Sequence, residues 1–202
     1  MLIRHRCFHC TKMMIFGGNS DGRLFLWGNK NFPNYRFHSD LANGIPSAEY
    51  FPDLFEIAVG EDNTPITALV RHFSRMMAFK PNSAWSIQYN TLALEDSNVT
   101  AAFYVQPVNR QFGNEAMGQV KLLENNPLTI DVGSVYQWRS ATSGTGYVTN
   151  TENNAKRISD RVAETLRSFD LPNTRTFNIK NDHEYWFLCD EKALILNYAN
   201  NT

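Results

Sequence analysis

Short runs of apolar residues, separated by turn-forming residues, recur along the whole chain. Residues 13–16 and 23–27 flank a Gly- and Asn-rich turn and predict a β-hairpin. Similar runs predict strands further along. These are residues 55–59, 66–70, 75–79, 84–89, 100–105, 119–123, 128–132, 135–138, 174–179, 184–189 and 193–198. The pattern predicts an all-β, mainly antiparallel protein.

Four segments share one plan: an apolar strand, a polar turn, and a second strand that ends in an aromatic residue. They begin about 45 to 65 residues apart, near the roughly 40 to 50 residues of a four-stranded propeller blade. We therefore expect partial or irregular β-propeller-like meander sheets, which must stack on one another to bury their faces. The four segments are residues 12–27, 75–89, 119–138 and 184–198.

One amphipathic helix is predicted over residues 155–169. Ile158, Val162, Leu166 and Phe169 recur at helical spacing, and charged residues occupy the other positions. The chain from residue 171 onward contains a Pro that would end this helix and then returns to the strand pattern.

The polar, turn-rich residues 140–154 predict an exposed loop. We place propeller-like sheet units in residues 1–140, and the loop, the helix and a further β unit of the same domain in residues 141–202. With 202 residues and 43% apolar content the chain can bury a sizeable core. The pattern begins and ends abruptly, so we expect an incomplete propeller, or a fragment, with unpaired strand edges.

A long irregular loop is predicted between residues 30 and 54, where aromatic residues alternate with Pro and Asn. Such loops commonly serve function or form interfaces. Phe32, Tyr35, Tyr50 and Phe51 are the interface candidates, because exposed aromatic side chains supply rigid contact area. The alternative is that these aromatic residues fold back and cover a sheet edge.

Charge offers little attraction to nucleic acid, since the net charge is −1. One local exception is a basic stripe of Arg157, Arg161 and Arg167 on the predicted helix, which could contact a DNA backbone or an acidic neighbouring subunit. The alternative is an ordinary solvent-exposed helix face, because acidic residues alternate with these arginines and can pair with them. No apolar run has the roughly 18 residues of a membrane span, so we expect no membrane partner.

Candidate chemistry along the chain is sparse. Cys7 and Cys10 have the spacing of half a zinc site, but four ligands are needed and no second pair accompanies them. Asp53 and Glu56 are among the carboxylates that a glycosidase would require in pairs, yet spacing alone does not pair them. We therefore expect no metal, no cofactor and no catalytic residues, with free thiols in a cytosolic folding compartment.

Several short motifs resemble a family of tailed-bacteriophage and prophage virion proteins. The most specific feature is their order: GRLFLWGN at residues 22–29, PNY at 33–35, YFP at 50–52 and IAVGEDNTPI at 57–66. Further matches cover nearly the whole chain, at residues 76–80, 84–87, 108–119, 135–138, 157–162, 184–186 and 196–198. Members also resemble the propeller-like packaged-DNA stabilisation proteins that close the portal and join it to the tail.

The resemblance implies a non-enzymatic virion assembly protein that acts in head completion or in the tail. It implies other virion proteins as partners, such as portal or tail subunits, and a homo-oligomeric ring. The implied location is the virion, with the host cytoplasm during assembly. Two alternatives stay open: a receptor- or carbohydrate-binding tail module whose aromatic loops stack on sugars, and a glycan-degrading enzyme on the same fold.

Overall fold

Antiparallel β-strands make up most of the protein, so the prediction of an all-β fold is confirmed. The computed structural model describes residues 7–17, 22–52, 55–93, 99–139 and 154–200. The strands are, in chain order, β1 (Lys12–Phe16), β2 (Arg23–Trp27), β3 (Tyr35–His38), β4 (Leu41–Ala42), β5 (Ile45–Pro46), β6 (Glu56–Ala58), β7 (Ala68–His72), β8 (Arg75–Lys80), β9 (Ser83–Ala93), β10 (Val99–Asn109), β11 (Lys121–Leu123), β12 (Asn126–Asp131), β13 (Ser134–Trp138), β14 (Ala155–Arg157), β15 (Arg175–Ile179), β16 (Glu184–Cys189) and β17 (Lys192–Asn197).

Four sheets follow one another along the chain. The first has the order β1-β2-β3-β6, the second β7-β8-β9-β10, the third β11-β12-β13-β14 and the fourth β15-β16-β17. A small fifth sheet consists of β4 and β5. Within these four sheets each strand pairs with the next one along the chain, except that β3 pairs with β6 beyond the inserted β4–β5 hairpin. The sheets are therefore antiparallel meanders, and a propeller-like arrangement of them stays a prediction.

The chain forms two compact units. The first comprises Met1–Ala78 and Trp85–Gln106, and the second comprises Phe79–Ala84 and Pro107–Thr202. The predicted loop at 140–154, and with it the expected boundary at residue 140, lies outside the described residues apart from Asn154. No helix within the described ranges is long and apolar enough to cross a membrane.

The core of the first unit lies between apolar faces of the first two sheets. Phe16 and Phe25 meet edge to face there, with ring centroids 6.2 Å apart. Burying side chains of this size supplies about 1.5–3 kcal/mol each. The buried members of this core are Phe16, Phe25, Trp27, Val59, Ile66, Leu69, Met76, Ala78 and Ile87.

The core of the second unit joins the third sheet, a short helix and the fourth sheet. In β16 every second side chain points into this core, as a half-buried strand requires. Trp138 is fully buried, and its indole N–H donates to Thr129 Oγ1 at 2.9 Å. The buried members are Leu123, Leu128, Ile130, Val135, Leu166, Phe169, Tyr185, Phe187 and Cys189.

A buried turn at Gly113 ties two segments of the second unit together. The Gly113 N–H donates to Asp131 Oδ2 at 2.8 Å, and the next amide, that of Asn114, donates to the Lys80 carbonyl at 2.8 Å. A β-carbon on Gly113 would lie 1.9 Å from that carbonyl oxygen and 2.6 Å from the Ser83 nitrogen. Only glycine fits this position.

The predicted helix at 155–169 is wrong in its bounds. Residues 155–157 form β14, which pairs with β13, and a 3-10 turn at Asp160–Val162 precedes α1 (Ala163–Arg167), the one α-helix among the described residues. The Val135 N–H donates to Ser159 Oγ at 2.9 Å and thus fixes the bend after the strand. Pairing with the edge of the third sheet outweighs helix formation here. The strand gains backbone hydrogen bonds to β13, and the apolar residues that follow it still pack in the core.

The predicted irregular loop at residues 30–54 is also partly regular. Residues 35–38 form β3, an internal strand of the first sheet, and residues 41–46 contain the β4–β5 hairpin. Tyr35 and its neighbours pair with β6, and Phe25 and Leu26 pair with the end of β3. Sheet pairing therefore orders the centre of this segment.

Candidate interaction site

Residues 40–50 form an exposed hairpin arm on the first unit. Asn43 and Gly44 link β4 to β5 with positive φ angles of 53° and 78°, as the two central residues of a type I′ turn require. Ile45 is 69% exposed and Tyr50 is 43% exposed. The hairpin arm therefore presents apolar side chains to solvent on a defined backbone.

The base of the hairpin arm is fixed by polar contacts. Arg23, which is buried in β2, places its Nη2 atom 3.1 Å from Asp40 Oδ1. The Asp40 N–H donates to the Tyr50 carbonyl at 2.9 Å, and the Ser47 N–H donates to the Asp40 carbonyl at 3.2 Å. Charge-assisted bonds to a buried arginine are stronger than exposed ion pairs, so the base is held while the tip is free to meet a partner.

The four aromatic interface candidates lie at both ends of the 30–54 segment. Phe32 and Tyr35 are half-buried and pack edge to face on each other, with ring centroids 5.8 Å apart. Phe51 is half-buried, while Tyr50 closes the hairpin arm and is exposed. Tyr50 is thus the member of the set with the most accessible ring, and a role at an interface stays a prediction for all four.

The three arginines of the predicted basic stripe come from three different elements. Arg157 lies in β14 and pairs with Asp160 at 2.9 Å, Arg161 lies in the 3-10 turn, and Arg167 ends α1. A β-carbon on Gly133 would lie 3.1 Å from Arg167 Cγ, so the stem of that arginine covers this turn. The stripe does not lie on one helix, and DNA contact stays a prediction.

A groove of about 770 Å³ opens in the second unit between the edges of β11 and β15. Among its lining residues, Asn178 Nδ2 donates to the Leu122 carbonyl at 2.6 Å, and the Tyr198 hydroxyl donates to Asn178 Oδ1 at 3.4 Å. Phe177 is 50% exposed in this groove. The charged lining residues are Lys121, Glu124 and Lys180.

Cys7 begins a 3-10 turn (Cys7–His9), and Cys10 follows directly after it. Cys7 is buried and Cys10 is half-buried, and neither they nor Cys189 form a disulfide. Burial, with a smaller contribution from Cys7, raises the pKa of the Cys10 thiol to about 12. Within the described ranges no three His, Cys, Asp or Glu side chains converge as metal ligands would.

A buried polar cluster in the first unit was not predicted from the sequence. Arg36 and His38 lie two residues apart on β3, on the face that packs into the core, and Arg36 is fully buried. Arg36 Nη1 donates to His38 Nδ1 at 2.8 Å. The guanidinium carbon lies 5.0 Å from the centroid of Phe25 and 4.8 Å from that of Phe103. Cation–π contacts with these two rings are therefore the main favourable interactions of the buried guanidinium, beside the hydrogen bond to His38.

The environment of this pair shifts both pKa values downward. Burial lowers the pKa of Arg36 from 12.5 to about 9. Burial, and next the charges of Arg36 and Arg23, lower the pKa of His38 from 6.5 to about 2. His38 also stacks on Phe55 at a centroid distance of 4.8 Å. A neutral imidazole therefore accepts the arginine's hydrogen bond throughout the physiological pH range.

No protein-family model matches the chain, and no curated protein matches it at a significant level.

Proposed function

We propose that this chain is a non-enzymatic assembly protein of a tailed-phage virion, which acts in head completion or in the tail through protein–protein contacts. The order of the motifs in residues 22–66 supports the virion role by resemblance. The blade-like meanders support the relation to propeller-like head-completion proteins. The observation that carries the contact function is the hairpin arm.

The hairpin arm has the properties of a docking element. Its base is fixed by the Arg23–Asp40 ion pair, so a partner that binds the tip pays little to order the backbone. Ile45 is exposed at 69%, and the short strands β4 and β5 form a sheet with each other alone among the described strands, so their outer edges can pair with a partner strand. Portal or tail subunits are the proposed partners, with assembly in the host cytoplasm and residence in the virion.

Incorporation into particles tests the proposal. Particles from a host that carries the gene should contain the chain by mass spectrometry. Ile45→Asp should fold normally yet reduce incorporation at least about tenfold, because a charge replaces an apolar contact at the centre of the interface. Val132→Asp changes a residue that is 77% exposed in the second unit and serves as the matched control. Purified particles that lack the wild-type chain would exclude the virion role.

A glycan-binding tail module is the second candidate, and the groove in the second unit favours it. Phe177 exposes half of its surface there, and sugar rings pack their C–H faces on aromatic rings. Asn178 and Tyr198 supply hydrogen-bonding groups beside it. Two lysines against one glutamate favour an acidic oligosaccharide over a neutral one.

Calorimetric titration distinguishes this second candidate. An oligogalacturonate should bind the wild type, and the Lys121→Ala, Lys180→Ala double variant should bind at least about tenfold more weakly. A neutral maltooligosaccharide of equal length is the control ligand. A wild-type protein that binds neither sugar would eliminate the glycan role and would leave the particle experiment unaffected.

A further inference from the structure

A cavity of about 150 Å³ lies beside the core of the second unit. Its lining comes from β13, β16, β17 and the segment that contains the 3-10 turn at Asp160–Val162. The cavity reaches the surface, because Arg161 and Ile195, which both line it, are exposed. Apolar side chains that pack in the core supply most of its wall. These are Val135, Ile158, Val162, Phe187, Leu194 and Leu196.

Backbone hydrogen bonds fix the wall of this cavity. The Ile158 N–H donates to the Val135 carbonyl at 3.0 Å, and the pairing of β16 with β17 places Phe187 opposite Leu194. Protein interiors seldom keep a gap larger than a water molecule. An apolar cavity of about 150 Å³ has the size that holds one benzene ring. The cavity is therefore preformed for a ligand with a single aromatic ring.

Two polar side chains complete the lining, and both can donate hydrogen bonds. Ser159 is 3% exposed, and its Oγ accepts the Val135 N–H at 2.9 Å. The hydroxyl proton of Ser159 has no acceptor among the described residues, so a ligand can accept it. Arg161 is the one charged residue among the described lining residues. It forms no ion pair within the described part of the chain, whereas Arg157 is paired with Asp160.

We propose that this cavity binds a carboxylate that carries one aromatic ring, of the size of benzoate or phenylacetate. The ring packs on the apolar wall, and the carboxylate accepts hydrogen bonds from Arg161 and Ser159. The charge of Arg161 favours an anion over a cation or a neutral ligand of the same size. The site does not depend on the proposed virion role. It also shares no residue with the groove that Lys121 and Lys180 line.

Methyl NMR titration of the full chain with benzoate tests the proposal. Benzoate should cause saturable ring-current shifts at the methyl groups of Val162 and Leu194, with a Kd of about 1 mM or tighter. The methyl groups of Leu69 and Ile87, in the core of the first unit, should not shift and serve as the internal control. Benzoate is the probe because its ring matches the volume of the cavity.

One variant isolates the contribution of the charge. Arg161→Met keeps an unbranched stem and should weaken benzoate binding at least about tenfold, because it removes a charge-assisted hydrogen bond. Toluene is a neutral ligand of similar size and should bind this variant and the wild type within about twofold of each other. Lys192→Met removes an exposed cation of β17 that does not line the cavity, and should bind benzoate like the wild type.

A second variant isolates the contribution of the cavity. Val162→Phe should abolish the binding of both ligands, because its own ring fills the space that they occupy. If this variant loses its circular dichroism spectrum, Val162→Ile adds one methyl group and should weaken both ligands at least about threefold. The proposal is overturned by wild-type methyl groups that do not shift, by benzoate binding that Arg161→Met leaves unchanged, or by a folded Val162→Phe protein that binds like the wild type.

Discussion

Replacing Arg36 with Met should stabilise the protein. Arg36 is fully buried, and within the described part of the chain its guanidinium makes one side-chain hydrogen bond, to His38, while Nε and Nη2 have no partner. A methionine keeps the unbranched stem and fills most of the same space without a charge. Buried charges that lack a carboxylate are commonly worse for stability than apolar residues of similar volume.

The size of the effect follows from three contributions. A pKa lowered from 12.5 to about 9 means that the folded state destabilises the protonated arginine by about 5 kcal/mol, at about 1.4 kcal/mol per tenfold change. The contacts with the faces of Phe25 and Phe103 return about 1–2 kcal/mol each. The hydrogen bond to His38 Nδ1, which methionine cannot make, returns about 1 kcal/mol more. We therefore expect Arg36→Met to raise the free energy of unfolding by up to about 2 kcal/mol at pH 7.

The advantage of the variant should shrink at alkaline pH. The folded-state pKa of Arg36 lies below the unfolded value, so between about pH 9 and 12.5 the unfolded chain binds the proton and the folded chain does not. Wild-type stability therefore rises with pH in this window relative to the variant. Between pH 9 and pH 10 the difference between the two proteins should fall by about 1 kcal/mol.

Urea unfolding followed by tryptophan fluorescence measures both effects. Arg36→Met should move the midpoint to higher urea with an unchanged slope, since the surface exposed on unfolding is the same. Arg36→Lys is the control, because it keeps a buried charge and should gain no stability. An Arg36→Met protein that unfolds at lower urea than the wild type would show that the core does solvate the guanidinium, and the reasoning would fail.

Two further substitutions test other parts of the structure. His38→Phe should reduce the stability that the protein loses between pH 7 and pH 4.5. The folded-state pKa of His38 is about 2 and its ordinary value is 6.5, so only the unfolded chain takes up this proton in that range, and the wild type is destabilised by it. Urea unfolding at both pH values measures the effect, and an equal loss of stability in the wild type and the variant would contradict it. Gly113→Ala should cost about 3 kcal/mol, because the added β-carbon meets the backbone at 1.9 Å. Gly22→Ala, where the nearest atom is 3.7 Å away, should change the midpoint by less than about 0.5 kcal/mol and is its control.

The strands were predictable because turn residues punctuate them. Gly, Asn, Asp and Pro stand between most apolar runs, and only a hairpin fits such short spacings. The four segments that share one plan each supply a hairpin to a different sheet, at residues 12–27, 75–89, 119–138 and 184–198. In these segments the apolar pattern and the turn-forming residues both indicate a hairpin, and for that reason the structure was predictable from the sequence.

The helix at residues 155–169 shows where periodicity alone misleads. Ile158 and Val162 pack against the same core as Leu166 and Phe169, which is what helical spacing predicted. The backbone between them reaches that core as a strand, a 3-10 turn and one helical turn instead. The burial of these four apolar residues was predicted correctly. Their backbone conformation was not, because residues 155–157 pair with the edge of β13, which lies about 20 residues earlier in the sequence and leaves no local signal.

The Arg36–His38 cluster was beyond prediction for a different reason. A strand with the order Tyr35, Arg36, Phe37, His38 would be expected to turn its polar residues toward water. Both polar side chains enter the core, because three aromatic rings (Phe25, Phe55 and Phe103) surround them from other segments. Residues of distant segments decide this arrangement, and the sequence of β3 alone argues against it.

Strand β1 shows that an apolar pattern does not decide which side of a strand is buried. In β1 the residues on both sides, Met13 and Ile15 on one and Met14 and Phe16 on the other, are apolar, which is the pattern of a strand covered on two faces. Met14 and Phe16 pack in the core of the first unit, whereas Met13 is 72% exposed and Ile15 is 76% exposed. The buried side of β1 is therefore decided by residues of the second sheet that belong to the same core, such as Leu69 and Ile87, and the sequence of β1 alone does not contain that information.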